Sequence, residues 1–153
     1  GSNKANDRDV YLDHNATTPP DPEVVAAMLP FLGQVFGNPS SVTHEHGRRA
    51  REALETARAE VAALIGADSS EVVFTSCATE ANNLAIKGAA WSLRNRGNHI
   101  VTSAVEHRSV LEPCRWLEGE GFRLTVLPVD REGRVDPERL DAVIEDGTIL
   151  VSI

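Results

Sequence analysis

Apolar positions along the chain follow two different spacings, and their alternation predicts the order of helices and strands. After about residue 66, short runs rich in β-branched and aromatic residues alternate with stretches whose apolar residues lie three or four positions apart. Strands are predicted at 71–75, 99–103, 122–129 and 148–153, and helices at 80–96, 109–120 and 137–144. Pro113 fits the second of these helices only in its first turn. Strands and helices alternating in this way form βαβ units. The predicted fold class is therefore α/β, with a mainly parallel sheet and helices on both faces.

The preceding region is predicted to be extended and then helical. Residues 9–20 form an extended N-terminal segment, and helices are expected at 21–32 and 47–65, with a loop at 37–41 between them and Gly66 ending the second. Gly1 and Ser2 are typical of a cleaved tag, so residues 1–8 are expected to be a disordered remnant outside the fold. Because the chain ends on an apolar strand with no helix after it, residues 21–153 are interpreted as a domain truncated at its C-terminus.

Composition narrows the functional classes only a little. The chain has 153 residues, 41% of them hydrophobic and 25% charged, and a formal net charge of −8. That charge argues against nucleic acid as a main partner, because phosphate binding needs a basic surface. Two cysteines are too few for a disulfide framework and favour a reducing compartment. No apolar run approaches the ~18 residues of a membrane span. The cytoplasm is the predicted location.

The first candidate for chemistry is the segment 74–80, between a predicted strand and a predicted helix. Small and hydroxylic residues there leave backbone N–H groups free at a helix N-terminus, together with the hydroxyls of Ser76 and Thr79. Free amides and the helix dipole favour binding of a phosphate dianion. The alternative is that Thr79 and Glu80 only cap the helix.

The second candidate is His107, which follows the predicted strand 99–103. An imidazole at this position can lie flat on an aromatic cofactor or exchange protons with a substrate. A single histidine is more often a loop or helix-capping residue, and that interpretation stays open. Because parallel strands place their following loops on one edge of the sheet, His107 is expected to lie over a ring whose phosphate is bound near Thr79.

Other histidines and both cysteines are weaker candidates. His44 and His46 are two residues apart, so their side chains diverge on a helix, and no metal site is predicted from them. Cys114 falls on an apolar helical face and is expected to pack as a small hydrophobic residue. Cys77 is placed at a helix N-terminus, where a thiol pKa can be lowered. Close packing of Cys77 against a phosphate is an equally good interpretation.

Taken in order, these motifs resemble those of the cysteine desulfurases of the class V aminotransferase group, of the nitrogen-fixation and iron–sulfur type. The similar segments are residues 11–19, 37–41 with His44 and Gly47, 74–80 with 83–88, 106–107 with 110–111, 128–130 with Gly133, and 146–153. The resemblance covers about residues 9–153. It implies the N-terminal part of the large domain of a fold type I pyridoxal-phosphate enzyme.

The resemblance also implies roles for individual residues. Ala78 and Thr79 would bind the phosphate of pyridoxal 5′-phosphate, and His107 would stack on the pyridine ring and take part in proton transfer. Many members have Gly where this chain has Cys77, so Cys77 is not taken as the catalytic thiol. The lysine that binds the cofactor covalently and the cysteine that accepts sulfur have no match here, since Lys4 and Lys87 are the only lysines and neither fits the motif. This segment alone is therefore expected to be inactive.

The implied reaction converts L-cysteine to L-alanine and leaves sulfur as an enzyme persulfide. The persulfide would pass to an acceptor such as an iron–sulfur scaffold protein or a tRNA-thiolation partner, and the enzyme would be a homodimer. Two alternatives remain open at this point. One is a selenocysteine lyase or another class V enzyme, and the other is a non-catalytic fragment that acts only with a second chain.

Overall fold

A computed structural model describes residues 10–153; the predicted tag remnant and residue 9 lie outside the described residues. The described chain divides into two compact units, residues 10–72 and residues 73–153. The domain limits predicted from the sequence, 9–20 and 21–153, stay predictions. Each unit is described by itself below.

The first unit contains two α-helices and one turn of 3-10 helix. Helix α1 spans Pro22–Gly33 and helix α2 spans Glu45–Ile65, and the 3-10 turn spans Ser69–Glu71. Both predicted helices are confirmed, although α2 begins two residues earlier than predicted. Its N-cap explains the difference, because Nδ1 of His44 accepts a hydrogen bond from the backbone N–H of Gly47 at 3.1 Å. Gly66 ends α2 as predicted, in the left-handed conformation with φ 68°.

Two glycines allow the loop at residues 37–41 to lie against the start of α2. A Cβ atom on Gly47 would overlap the carbonyl oxygen of Ser41, and one on Gly37 would overlap that of His46. Neither position tolerates a side chain without backbone movement. The segment 37–47 thus has a steric reason for both of its glycines.

The second unit is a parallel sheet with helices between its strands. The elements are α3 (Ala78–Leu93), β1 (His99–Ser103), α4 (Arg108–Gly119), β2 (Arg123–Leu127), α5 (Pro137–Val143) and β3 (Thr148–Ser152). The strand order is β2-β1-β3, and β1 pairs in parallel with both neighbours. The predicted α/β class with a parallel sheet is confirmed. Since the chain passes from β1 to β2 and then back beyond β1 to β3, right-handed crossovers require α4 and α5 to lie on opposite faces.

One apolar cluster joins α3 and α4 to the sheet. Its buried members are Ile86, Ala90, Ile100, Val110, Cys114, Leu117 and Phe122. The ring of Trp91 meets that of Phe122 edge-on, with centroids 5.5 Å apart. This cluster fixes α3 against α4, so that residues on the facing sides of the two helices come together.

Two predictions about local structure are wrong. Residues 71–75 form no strand, and Val73 and Phe74 are exposed. A strand requires a hydrogen-bonded neighbour, and among residues 10–153 this segment pairs with none of the three strands. Pro113 is not in the first turn of α4 but is its sixth residue, buried against the core. Burial of its ring offsets the loss of one backbone donor.

Candidate functional site

A groove with a volume of about 510 Å³ lies along α3 and α4 in the second unit. Helix α3 contributes Thr79, Asn83 and Lys87, which are four residues apart and therefore share one helical face. Helix α4 and its N-cap contribute His107, Arg108, Ser109, Glu112, Pro113 and Trp116. The groove brings together Thr79 and His107, two of the three residues singled out from the sequence. The third, Ala78, is the first residue of α3, directly beside Thr79.

The N-terminus of α3 stabilises negative charge. The carboxylate of Glu80 accepts hydrogen bonds from the backbone N–H of Ser76 at 2.7 Å and from its hydroxyl at 2.6 Å. These bonds, the hydroxyl's first, hold the pKa of Glu80 below its ordinary value. The pKa of the Cys77 thiol is also lowered, first by the backbone N–H of Glu80 and then by the Ser76 hydroxyl. The lowered pKa of the Cys77 thiol is what a phosphate-binding N-terminus should show, because its first cause is a backbone amide of the first turn of α3.

His107 is both the N-cap of α4 and part of the wall of the groove. Its Nδ1 accepts a hydrogen bond from the backbone N–H of Ser109 at 3.1 Å and lies 2.8 Å from the Ser109 hydroxyl. That hydroxyl accepts a hydrogen bond from the side-chain amide of Asn82 at 2.8 Å. From the sequence, a helix-capping role and a role in the site were alternative interpretations of His107. In the structure the same ring caps α4 and also lines the groove.

Lys87 lies at the far end of the groove from Ala78. Its ammonium group is 4.4 Å from the centre of the Trp116 ring, close enough for a cation–π interaction. In the sequence Lys87 is only a lysine without a matching motif, Asn83 is only the first residue of the similar segment 83–88, and Trp116 is not singled out. The spacing of Thr79, Asn83 and Lys87 was the available signal, because residues four apart on a helix face the same partner.

The remaining candidates have local structural surroundings. His44 caps α2, and His46 stacks on Phe36 with ring centroids 5.3 Å apart. Among residues 10–153 no group of three or more His, Cys, Asp or Glu side chains is placed to bind a metal ion. Cys114 is fully buried in the core cluster, and burial raises the pKa of its thiol. No helix within those residues is long and apolar enough to cross a membrane.

The geometry fits a cofactor that carries both a phosphate and a flat ring. Thr79 offers a hydroxyl beside the free backbone amides of the first turn of α3, and His107 offers a flat face in the same groove. His107 also follows the carboxyl end of β1, the edge of a parallel sheet at which α/β enzymes bind their ligands. This fold and groove are typical of α/β proteins that bind a phosphate-bearing cofactor.

Comparison with known proteins gives the family. The aminotransferase class-V family matches residues 10–153, and the chain belongs to that family. The class V aminotransferases and their cysteine desulfurases are pyridoxal-phosphate-dependent enzymes.

The matches to individual relatives cover nearly all of this chain but only part of each relative's own length. Over 146 residues the chain is 57% identical to the cysteine desulfurase IscS of Dictyoglomus turgidum, a match that covers 95% of this chain and 37% of that protein. A solved NifS-like protein superposes with a TM-score of 0.87 at 40% identity, covering 94% of this chain and 39% of the other. The structure of SspA in complex with cysteine has a TM-score of 0.82 at 38% identity, covering 92% and 40%. The chain spans about a third of the length of the curated relatives it matches.

Proposed function

We propose that the full-length protein is a cysteine desulfurase that converts L-cysteine to L-alanine and retains the sulfur as a persulfide on one of its cysteines. Residues 10–153 supply part of its pyridoxal-phosphate site. The observation that carries the proposal is the groove in which Thr79 and His107 lie together, in a chain 57% identical to a curated cysteine desulfurase.

Ala78 and Thr79 bind the cofactor phosphate in this proposal. Their amides belong to the first turn of α3, where backbone donors have no partner within the helix. The lowered pKa of Cys77 supports this assignment, because its first cause, the backbone N–H of Glu80 in the first turn of α3, favours a phosphate as it favours a thiolate.

His107 is the proposed catalytic residue of this segment and stacks on the pyridine ring. The bonds from Ser109 to its Nδ1 hold the imidazole plane in one orientation, which a stacking role requires. Bound pyridoxal phosphate supplies an electron sink for the substrate's α-carbon. The protein's tasks are to hold the phosphate, to orient the ring and to place a hydrogen-bonding group beside it.

The covalent lysine and the sulfur-accepting cysteine belong to the rest of the protein in this proposal. Lys87 does not take the lysine's role, since its ammonium group lies over the Trp116 ring. Residues 10–153 by themselves are accordingly expected to show no turnover.

Partners and location are part of the same proposal. The proposed substrate is L-cysteine, the proposed sulfur acceptor is an iron–sulfur scaffold protein, and the active form is a homodimer in the cytoplasm. Two observations support parts of this: a relative's structure contains cysteine, and the chain's net charge of −8 disfavours direct binding of nucleic acid.

The test uses the full-length protein supplied with pyridoxal phosphate. We expect a bound chromophore and release of equal amounts of alanine and sulfide from cysteine in the presence of a thiol reductant. Thr79→Val should weaken cofactor binding by about tenfold or more, the loss of one hydrogen bond to a charged group. Thr56→Val, a change of the same kind on the exposed face of α2, is the matched control. Absence of a chromophore in the full-length protein, or equal cofactor affinity in the two variants, would contradict the proposal. Turnover restricted to selenocysteine would instead indicate a selenocysteine lyase.

A further inference from the structure

The two bonds at Nδ1 of His107 restrict where the ring can carry its proton. The backbone N–H of Ser109 points at Nδ1 from 3.1 Å, so Nδ1 acts as an acceptor. A hydrogen on Nδ1 would face the amide hydrogen of Ser109. In a neutral imidazole only one nitrogen carries a proton, and that proton must therefore be on Nε2.

The side chain of Asn82 is hydrogen-bonded to the Ser109 hydroxyl, which makes the second bond to Nδ1. Its amide nitrogen lies 2.8 Å from the Ser109 hydroxyl oxygen and donates to it. The hydroxyl still has its own hydrogen to donate, and Nδ1, which already accepts from the Ser109 N–H, lies 2.8 Å away. Ser109 is only 7% exposed, so its hydroxyl has little access to water as an alternative partner.

A carboxylate at Nδ1 would favour a protonated ring, as in a Ser-His-Asp triad. Among residues 10–153 the groups bonded to the ring are the amide and hydroxyl of Ser109, both neutral. The nearby Glu106 carboxylate accepts instead from the Ser103 hydroxyl at 3.1 Å.

We propose that Asn82 and Ser109 are positioning residues that favour one tautomer of the neutral His107 ring, the one with its proton on Nε2. This inference rests on the proposed function for its consequence: His107 serves cofactor and substrate as a hydrogen-bond donor through Nε2, and not as a general base. To accept a proton the ring would have to do so at Nδ1, which requires the bond from the Ser109 backbone N–H, and with it the cap of α4, to be lost and the Ser109 hydroxyl to turn from donor to acceptor.

The tautomer is measured first, by nitrogen-15 NMR of histidine-labelled full-length protein without cofactor. The His107 signals are assigned by their loss in His107→Gln. We expect an unprotonated Nδ1 and a protonated Nε2 at neutral pH. Ser109→Ala and Asn82→Ala should each shift the Nδ1 signal, whereas Ser109→Thr keeps the hydroxyl and should restore it. A proton on Nδ1 in the unchanged protein, or an unshifted Nδ1 signal in Ser109→Ala, overturns the proposal.

Two substitutions of His107 then distinguish the roles of its two ring nitrogens in the holoenzyme. His107→Gln keeps an N–H donor near the position of Nε2 but cannot act as a base, and His107→Asn keeps the helix cap but places nothing at Nε2. We expect kcat for Gln within about tenfold of the original and a loss of about 10²-fold or more for Asn, the usual effect of removing one positioned donor. Equal losses in both variants would contradict the donor role of Nε2.

The role of Asn82 is tested by combining its substitution with that of Ser109. Ser109→Ala should lower kcat by about tenfold, the equivalent of one hydrogen bond, with little change in KM. Because Asn82 acts through that hydroxyl, adding Asn82→Ala to Ser109→Ala should cost nothing further. Additive losses would remove Asn82 from the network. If the original full-length protein neither binds pyridoxal phosphate nor turns over cysteine, the proposed function fails, while the NMR experiment still decides the tautomer.

Discussion

Acid should loosen strand β1 from its neighbours, because a neutral histidine is buried between the three strands. His99 is 2% exposed. Its Nδ1 lies 2.8 Å from the hydroxyl of Thr148 on β3, and its Nε2 lies 2.8 Å from the hydroxyl of Thr125 on β2. The ring thus ties both edge strands to the central one. Each hydroxyl can donate or accept, so the neutral ring is fully hydrogen-bonded in either tautomer.

Protonation of this ring is disfavoured in the folded protein. Burial lowers the pKa of His99 below its ordinary value of 6.5, and the positive charge of Arg123 lowers it further. Glu145 lies 4.0 Å from Nδ1 and would favour the charged ring, but its carboxylate is already paired with Arg123. Since the unfolded chain takes up the proton first, stability is complete above about pH 6.5 and falls as the pH drops below it. The free energy of unfolding falls by at most about 1.36 kcal/mol per pH unit. Between pH 6.5 and pH 5 this amounts to about 2 kcal/mol, or about a 30-fold change in the unfolding equilibrium constant.

Amide hydrogen exchange in the full-length protein measures this locally. Protection of the β1 amides, corrected for intrinsic exchange rates, should fall between pH 7 and pH 5 in the original protein. His99→Gln removes the titrating group and should flatten the slope. His14→Gln, at an exposed histidine, should leave it unchanged. An equal loss of β1 protection in His99→Gln and in the original protein would refute the role of His99.

Two further predictions concern the backbone and the thiols. Gly47→Ala should raise amide exchange in the first turn of α2 by tenfold or more, because its Cβ would overlap the Ser41 carbonyl. A Cβ atom on Gly88 in α3 would lie in open space, so Gly88→Ala should leave amide exchange in its own helix unchanged. Equal increases in amide exchange in the two variants would refute the steric argument. Alkylation by iodoacetamide at pH 7 should modify Cys77, which is exposed with a lowered pKa, well before Cys114, which is buried with a raised one. Bound pyridoxal phosphate should slow the alkylation of Cys77. The extent of alkylation is measured by mass spectrometry of the two cysteine peptides, and modification of Cys114 before Cys77 would contradict this prediction.

Local sequence signals were sufficient for most of the elements. Asp21 and Asp136 cap α1 and α5 because a carboxylate two residues ahead of a free amide can bond it, whatever the rest of the chain does. Gly66 ends α2 for an equally local reason. The failure at 71–75 shows the limit of such signals, because an apolar run becomes a strand only when a distant segment offers it hydrogen bonds.

For the candidate site, the sequence determined which residues are available, and the tertiary structure decided what each can do. The motif around Thr79 and the position of His107 after a strand predicted where a phosphate and a ring would be bound. His107 is held through Ser109 by Asn82, which lies 27 residues before Ser109 in the chain, and this depends on α3 packing against α4. Sequence spacing fixes contacts within one helix, but a hydrogen bond between two helices has no periodic signature. The proton's place on His107 is therefore a property of the fold.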